Sequence, residues 1–211
     1  NLIRNHHIGS FLNGEAAPAE TWFKFMDRLT RLALEESRLD IPIIYGIDHI
    51  HGATYLDEST IFPQSINLGA TFNPTHGFNS GWVTAYESAD LGHHWNFAPV
   101  LDIGVNPLWP RFYETFGEDP LLASRMGEAY VKGYQGNEKI GPYRVAATAK
   151  HFIGYSDPNS GWDRSPAYIP KQVIHEFHRP SFQAAVDAGI KTVMLNSGEV
   201  NGVPVHGSYE L

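Results

Sequence analysis

Charged and imidazole side chains follow the apolar runs of this chain, and chemistry at strand ends is the first reading they invite. Asp48, His49 and His51 come just after residues 41–45 (IPIIY). Residues 96–101 end at Asp102, with Arg111 and Glu114 close behind, set among Trp109, Phe112, Tyr113 and Phe116. Residues 145–150 (VAATAK) end in Lys150-His151, and residues 190–195 (IKTVML) carry Met194 late and lead into Asn196, Ser197 and Glu199. A carboxylate such as Asp48 can accept two hydroxyl hydrogen bonds, and a guanidinium offers several directed donors. A lysine ammonium donates, and a histidine does either. Such groups between aromatic rings suit a polar, ring-shaped ligand.

Each residue also has a plainer reading. Asp48 can cap its own loop backbone, and Arg111 with Glu114 can be an ion pair that braces their loop. Trp109 is either a stacking platform for a sugar face or a lid over the helices. Asp157, Asp163 and Arg164 read as solvated loop charges, Asp163-Arg164 being the better site candidate because Trp162 and Tyr168 flank it. His175 and His178 share a helix face and read as outer surface, since no HExxH pattern is present. His49, His51 and His151 together form a metal-hydrolase alternative, because His-x-His after a barrel strand opens some metal sites.

These residues need strands to carry them, and the pattern supplies strands alternating with helices. Strands are expected at 8–12, 41–45, 93–102, 145–150 and 190–195. Helices are expected at 17–34, 75–91, 121–134 and 170–188. Asn13-Gly14 reads as a turn, and residues 53–73 as a long loop with room for a short strand. The helix at 75–91 should bury Phe78, Val83, Tyr86 and Ala89, and that at 17–34 Trp22, Phe23, Met26, Leu29, Leu32 and Ala33. Asp119 and Pro120 mark the start of the helix at 121–134. In the last helix Val173, Ile174, Phe177, Phe182, Ala185 and Val186 should face inward.

Alternation of this kind gives a parallel sheet covered by helices. No GxGxxG or GxxxxGK[ST] fingerprint occurs. Polar clusters after several different strands are the habit of a (β/α)8 TIM barrel, of which about five strands lie here.

With 211 residues, 42% of them hydrophobic and 18% charged, the chain can bury a sizeable core. A net charge of -8 argues against nucleic acid and anionic membrane surfaces as partners. The absence of cysteine excludes disulfides and thiolate chemistry, and no run of eighteen apolar residues exists. The beginning at NLIRNHHIGS and the stop at GSYEL read as cuts in a longer chain.

The segments IPIIYGIDHIHG, NFAPVLDIGVNPLWPRFYETFGEDP, AATAKHFIGY, DRSPAYIP and KTVMLNSGEVNGVPVH resemble, in order, family 3 glycoside hydrolases of the β-glucosidase and exo-β-glucanase type. That resemblance implies that residues 1–211 are part of the family's N-terminal (β/α)8-type barrel. It implies a retaining exo-acting enzyme, with terminal β-D-glucosyl residues of a small-molecule or oligosaccharide substrate as its target. Asp48, Arg111, Lys150 and His151 match residues that hold the terminal sugar, and Met194 stands near it. Trp109, Arg164 and Glu199 are further substrate-binding candidates, and Glu114 supports the Arg111 loop. Asn196-Ser197 stand where many members have a tyrosine.

The resemblance places the nucleophile and the acid/base beyond Leu211, so no catalytic residue is assigned in this chain. The remaining strands and a second α/β sandwich domain are the expected partners. No metal or other cofactor is expected, and a periplasmic or secreted location is favoured. A non-catalytic carbohydrate-binding fragment stands beside the metal hydrolase as the other alternative.

Overall fold

The structure, a computed structural model, describes residues 1–136 and 141–211. Five strands form one parallel sheet in the order β1-β2-β3-β4-β5, which is also their order in the chain. They are β1 (Ser10–Leu12), β2 (Ile44–Ile47), β3 (Trp95–Asn96), β4 (Ala146–Phe152) and β5 (Thr192–Leu195). A doubly wound sheet reverses its strand order at a switch point. Here the order never reverses, and each crossover carries a helix. The result is a partial (β/α)8 barrel.

The helices follow local chemistry. Asp119 caps α5 (Pro120–Gln135) by accepting the Leu122 N–H, and Asn73 caps α4 (Pro74–Asp90) by accepting that of Thr75. Pro at the first position of both helices costs no hydrogen bond. Helix α2 (Ala19–Glu36) buries Trp22, Met26, Leu29 and Ala33 against Tyr45 and Ile47, while Phe23 points outward. Residues 53–73 hold no strand among the described elements. They contain a short helix, α3 (Ser65–Gly69), and an isolated bridge between Gly52 and Ile61.

Strand β3 is much shorter than the apolar run that contains it. Pro99 has no N–H to give a ladder, so residues 97–101 follow β4 through separate bonds. Thr148 donates to the Ala98 carbonyl at 2.9 Å, and Leu101 donates to that of Lys150 at 2.6 Å. The chain thus stays beside β4 up to Asp102.

Helix α4 turns a different face inward from the one its bulky residues suggest. Gly77, Ser80, Gly81, Thr84, Ala85 and Ser88 are buried, while Phe78 and Tyr86 are exposed. The cause is close contact with α5. A Cβ on Gly133 would lie 2.4 Å from the Phe78 carbonyl oxygen, and one on Gly81 2.8 Å from that of Tyr130. Only small residues fit. The buried hydroxyls are satisfied within the helix or by α5: Thr84 donates to the Ser80 carbonyl, Ser88 to that of Thr84, and the Tyr130 hydroxyl to Ser80 Oγ.

The last helical stretch also departs from simple periodicity. It comprises α6 (Lys171–Val173), a π-turn (Ile174–His178) and α7 (Arg179–Asp187). The wide turn puts His178 inside, 2% exposed, and leaves His175 outside, so the two do not share a surface face. Phe177 and Val186 are exposed for the same reason, whereas Ile174, Phe182 and Ala185 join the core. Beyond β5 a small antiparallel pair, β6 (Glu199–Val200) and β7 (Val203–Pro204), closes the described chain.

The α4–α5 contact gives a direct test. Gly133→Ala should lower stability by about 1–3 kcal/mol, because backbone rather than a movable side chain meets the new methyl. The intrinsic helix preference for alanine, about 1 kcal/mol, offsets part of that. A lowered thermal midpoint is expected; an unchanged or raised one would show that the helices separate freely.

Candidate active site

Consecutive strands deliver their polar residues to one end of the sheet. Asn13 follows β1, Asp48 follows β2, Asp102 follows the run after β3, and Lys150 and His151 lie on β4. Asp48 sits at the centre. Its carboxylate accepts from Lys150 Nζ at 2.5 Å and from Asn13 Nδ2 at 2.8 Å, and its backbone N–H donates to Asn13 Oδ1 at 3.0 Å. Lys150 is 1% exposed.

Burial pushes the Asp48 carboxyl up, but the Lys150 charge, the bonds from Lys150 and Asn13, and the Arg111 charge outweigh it and hold the group below the usual carboxylate value. Burial pulls the Lys150 ammonium below the usual lysine value, with Asp48 opposing. The ion pair is what allows the lysine to sit charged in the interior.

Arg111 grips Glu114 with two bonds, Nε to Oε1 at 2.8 Å and Nη2 to Oε2 at 2.6 Å. Burial lowers the Arg111 pKa and this fork more than reverses it, leaving it raised. The guanidinium also lies over the Tyr155 ring, 5.7 Å from its centre. The same ring meets His151 edge-on at 4.7 Å and Trp109 at 5.2 Å. Tyr155 therefore joins the Arg111 loop to the Lys150-His151 corner.

The register of β4 against β5 shifts between Lys150 and Phe152, which breaks strict alternation at this corner, and Met194 is the partner of Lys150 across the pair. A cavity of about 330 Å³ opens beside the group, with Asp48, His51, Tyr55, Gln64, Tyr113 and Glu114 in its wall. That volume falls within the range of small-ligand pockets. A larger hollow of about 660 Å³, walled by Lys171, His175 and Tyr209 among others, includes none of the converging charges.

Several candidates take other places. Trp109 is 1% exposed and its Nε1 donates to Asp163 Oδ1 at 3.0 Å, so it is an internal brace and offers no stacking face. Arg164 points outward, 3.8 Å from Asp163 with its side chain 69% exposed. Glu199 lies on β6, away from the five-stranded sheet.

The three histidines of the metal reading are dispersed by their partners. His49 packs on His93 with ring nitrogens 3.3 Å apart. His51 bonds the Phe62 carbonyl at 2.8 Å and Gln64 at 3.0 Å, and His151 bonds Asp102 at 2.7 Å. Among the described residues no three His, Asp or Glu side chains are grouped to hold a metal.

Sequence reading missed Asn13, Asp102 and Tyr155 as members of this group. Asn13-Gly14 carries a turn signal that hides the side-chain role of Asn13. Asp102 and Tyr155 each stand at the exit of an apolar run, and that position was their available signal.

The barrel and its converging strand ends define an enzyme domain of the (β/α) type, and comparison with known proteins gives its family. The chain belongs to glycosyl hydrolase family 3, whose N-terminal domain model matches residues 1–211. It is 44% identical to a lysosomal beta glucosidase of Dictyostelium discoideum, over 98% of this chain and 27% of that protein.

Among solved structures it resembles an exo-1,3/1,4-beta-glucanase from a Pseudoalteromonas species, with a TM-score of 0.92, 32% identity, and coverage of 98% of this chain and 27% of that one. It also resembles a beta-glucosidase from Listeria innocua in complex with glucose, with a TM-score of 0.83, 32% identity, and coverage of 97% and 27%. The chain thus spans about a quarter of the length of the relatives it matches.

The buried His49–His93 pair predicts a pH dependence of stability. Burial, with His93 beside it, lowers His49 well below the usual histidine value; burial and His94 lower His93 to about 4. Unfolded histidines protonate near pH 6.5. Below that the unfolded state binds more protons, so stability present above about pH 6.5 is lost as pH falls toward 4. His93→Phe should reduce that loss by on the order of 1 kcal/mol per pH unit. Denaturant midpoints at about pH 7 and pH 4.5 check it; parallel losses in variant and parent would refute it.

Proposed function

We propose that this chain supplies the sugar-holding side of the first subsite in an exo-acting β-glycosidase, with a terminal β-D-glucosyl residue as the substrate it suits best. The observation that carries this reading is the meeting of Asp48, Lys150, Arg111 and His151 from separate strand ends around one small cavity. Family membership and the relatives' names support it.

Asp48 accepts from hydroxyls, while Lys150 and Arg111 donate to them. Their charges are already balanced by one another and by Glu114, so a neutral sugar enters without stranding a buried charge. Bonds that tighten as the ring distorts toward an oxocarbenium ion lower the barrier.

Hydrolysis with retention needs two carboxyl groups about 5–5.5 Å apart, one to attack the anomeric carbon and one to protonate the leaving oxygen. Here Asp48 is engaged by Lys150, Glu114 by Arg111 and Asp102 by His151. In this reading both catalytic carboxylates come from sequence outside these 211 residues, together with the other strands and a second domain. The same acid then serves as base toward water.

The test is a panel of nitrophenyl glycosides assayed with and without a chelator. Turnover of the β-glucoside ahead of the β-xyloside and β-N-acetylglucosaminide, unaffected by the chelator, is expected. Asp48→Ala should lower kcat/KM by about a hundredfold or more, since a bond to a charged group is worth roughly 1.5–3 kcal/mol. Unchanged kinetics in that variant, or binding of gluconolactone with no turnover of any glycoside, would refute the proposal.

A further inference from the structure

His151 is tied twice to a single carboxylate oxygen. Asp102 Oδ2 accepts the His151 backbone N–H at 3.0 Å and lies 2.7 Å from its ring Nδ1. Asp102 is 2% exposed and His151 5%. An oxygen that already accepts the backbone N–H is an acceptor toward the ring as well, so the shared proton belongs on Nδ1. Nε2, on the opposite side of the ring, is then bare in the neutral imidazole and can accept a bond.

The surroundings hold Asp102 from both sides. The carbonyl before it, on Leu101, accepts from Ser181 Oγ at 2.8 Å, and the carbonyl after it, on Ile103, accepts from Ser156 Oγ at 2.6 Å. Leu101 also bonds the Lys150 carbonyl, so Asp102 rides on backbone fixed to the strand that carries His151. Tyr155 packs its ring against the imidazole, and Arg111 lies over that ring. On the helix side His178 is buried within the field of Asp102, with its Nε2 3.9 Å from Asp157 Oδ2.

We propose that Asp102 is a positioning residue of the first subsite: it fixes the His151 ring and its tautomer so that Nε2 accepts one hydroxyl of the terminal sugar. This rests on the sugar-binding reading above. It adds an element of selectivity, because Lys150 and Arg111 only donate and Asp48 only accepts. His151 is the one imidazole of the group, and Asp102 sets which role it plays. A ring turned to the other tautomer would present Nε2–H to the hydroxyl, a donor where an acceptor is needed.

The experiment is a double-mutant cycle on kcat/KM for an aryl β-glucoside, with D102N, H151A and the double variant, repeated on 3-, 4- and 6-deoxy analogues. D102N should lose about 10- to 100-fold, the usual cost of removing a carboxylate that orients a functional histidine. It should keep its thermal midpoint within a few degrees, add nothing in the H151A background, and lose its penalty on one deoxy substrate. D102N within about twofold of the parent overturns the proposal, as does an equal penalty in the H151A background and on every deoxy analogue.

Should D102N not fold, His151→Asn decides, because its amide still donates to Asp102 but has no atom at the Nε2 position. Loss equal to that of H151A is expected, and parent-like kinetics would overturn the proposal. An unsubstituted protein that turns over no aryl glycoside removes the sugar reading and this proposal together. An active protein with a flat cycle removes this proposal alone.

Discussion

A lysine ammonium with almost no access to water is the constraint on which the rest of this fold depends. An ion buried alone costs several kcal/mol even after the protein relaxes. Lys150 therefore requires Asp48 at contact distance, and Asp48 requires β2 to stop where it does. Asn13 then holds Asp48 from the far side, which fixes the exit of β1. Three strand ends are thus set relative to one another by one charge and its partners, before any ligand arrives. Preorganised charge of this kind need not reorganise when a substrate binds, which is where much of the electrostatic benefit of an enzyme site arises.

The aromatic layer does for the loops what the ion pair does for the strands. Tyr155 touches Arg111, His151 and Trp109 with one ring. The Arg111 fork on Glu114 stiffens the loop after β3, and the Trp109 bond to Asp163 ties that loop to the one after β4. Each contact is modest, since ring pairs contribute about 0.5–1.5 kcal/mol beyond their burial. Together they hold a guanidinium and an imidazole in fixed relation across two loops far apart in sequence.

How far the sequence reveals this depends on whether the controlling physics is local. The start of α5 is legible because Asp119 and Pro120 act within one turn. Asp48, Arg111, Lys150 and His151 are legible as strand-end residues, helped by their family pattern. The inward face of α4 is not, because burial there follows from backbone proximity to α5, and small residues give no hydrophobic period. Trp109 is ambiguous until Asp163, fifty-four residues later, is seen to accept its N–H. His178 looks external because a 3.6-residue period puts it beside His175, and a single wide turn undoes that arithmetic.

That wide turn leaves the chain little freedom to change length. A π-turn holds one residue more than the α-helix it interrupts. Deleting any residue between Ile174 and His178 would restore regular winding and rotate all that follows by about 100°. Phe182 would leave the core and Ser181 would swing away from the Leu101 carbonyl. Point substitutions are tolerable along this helix wherever it meets solvent, but a one-residue deletion would detach the backbone beside Asp102 from its support.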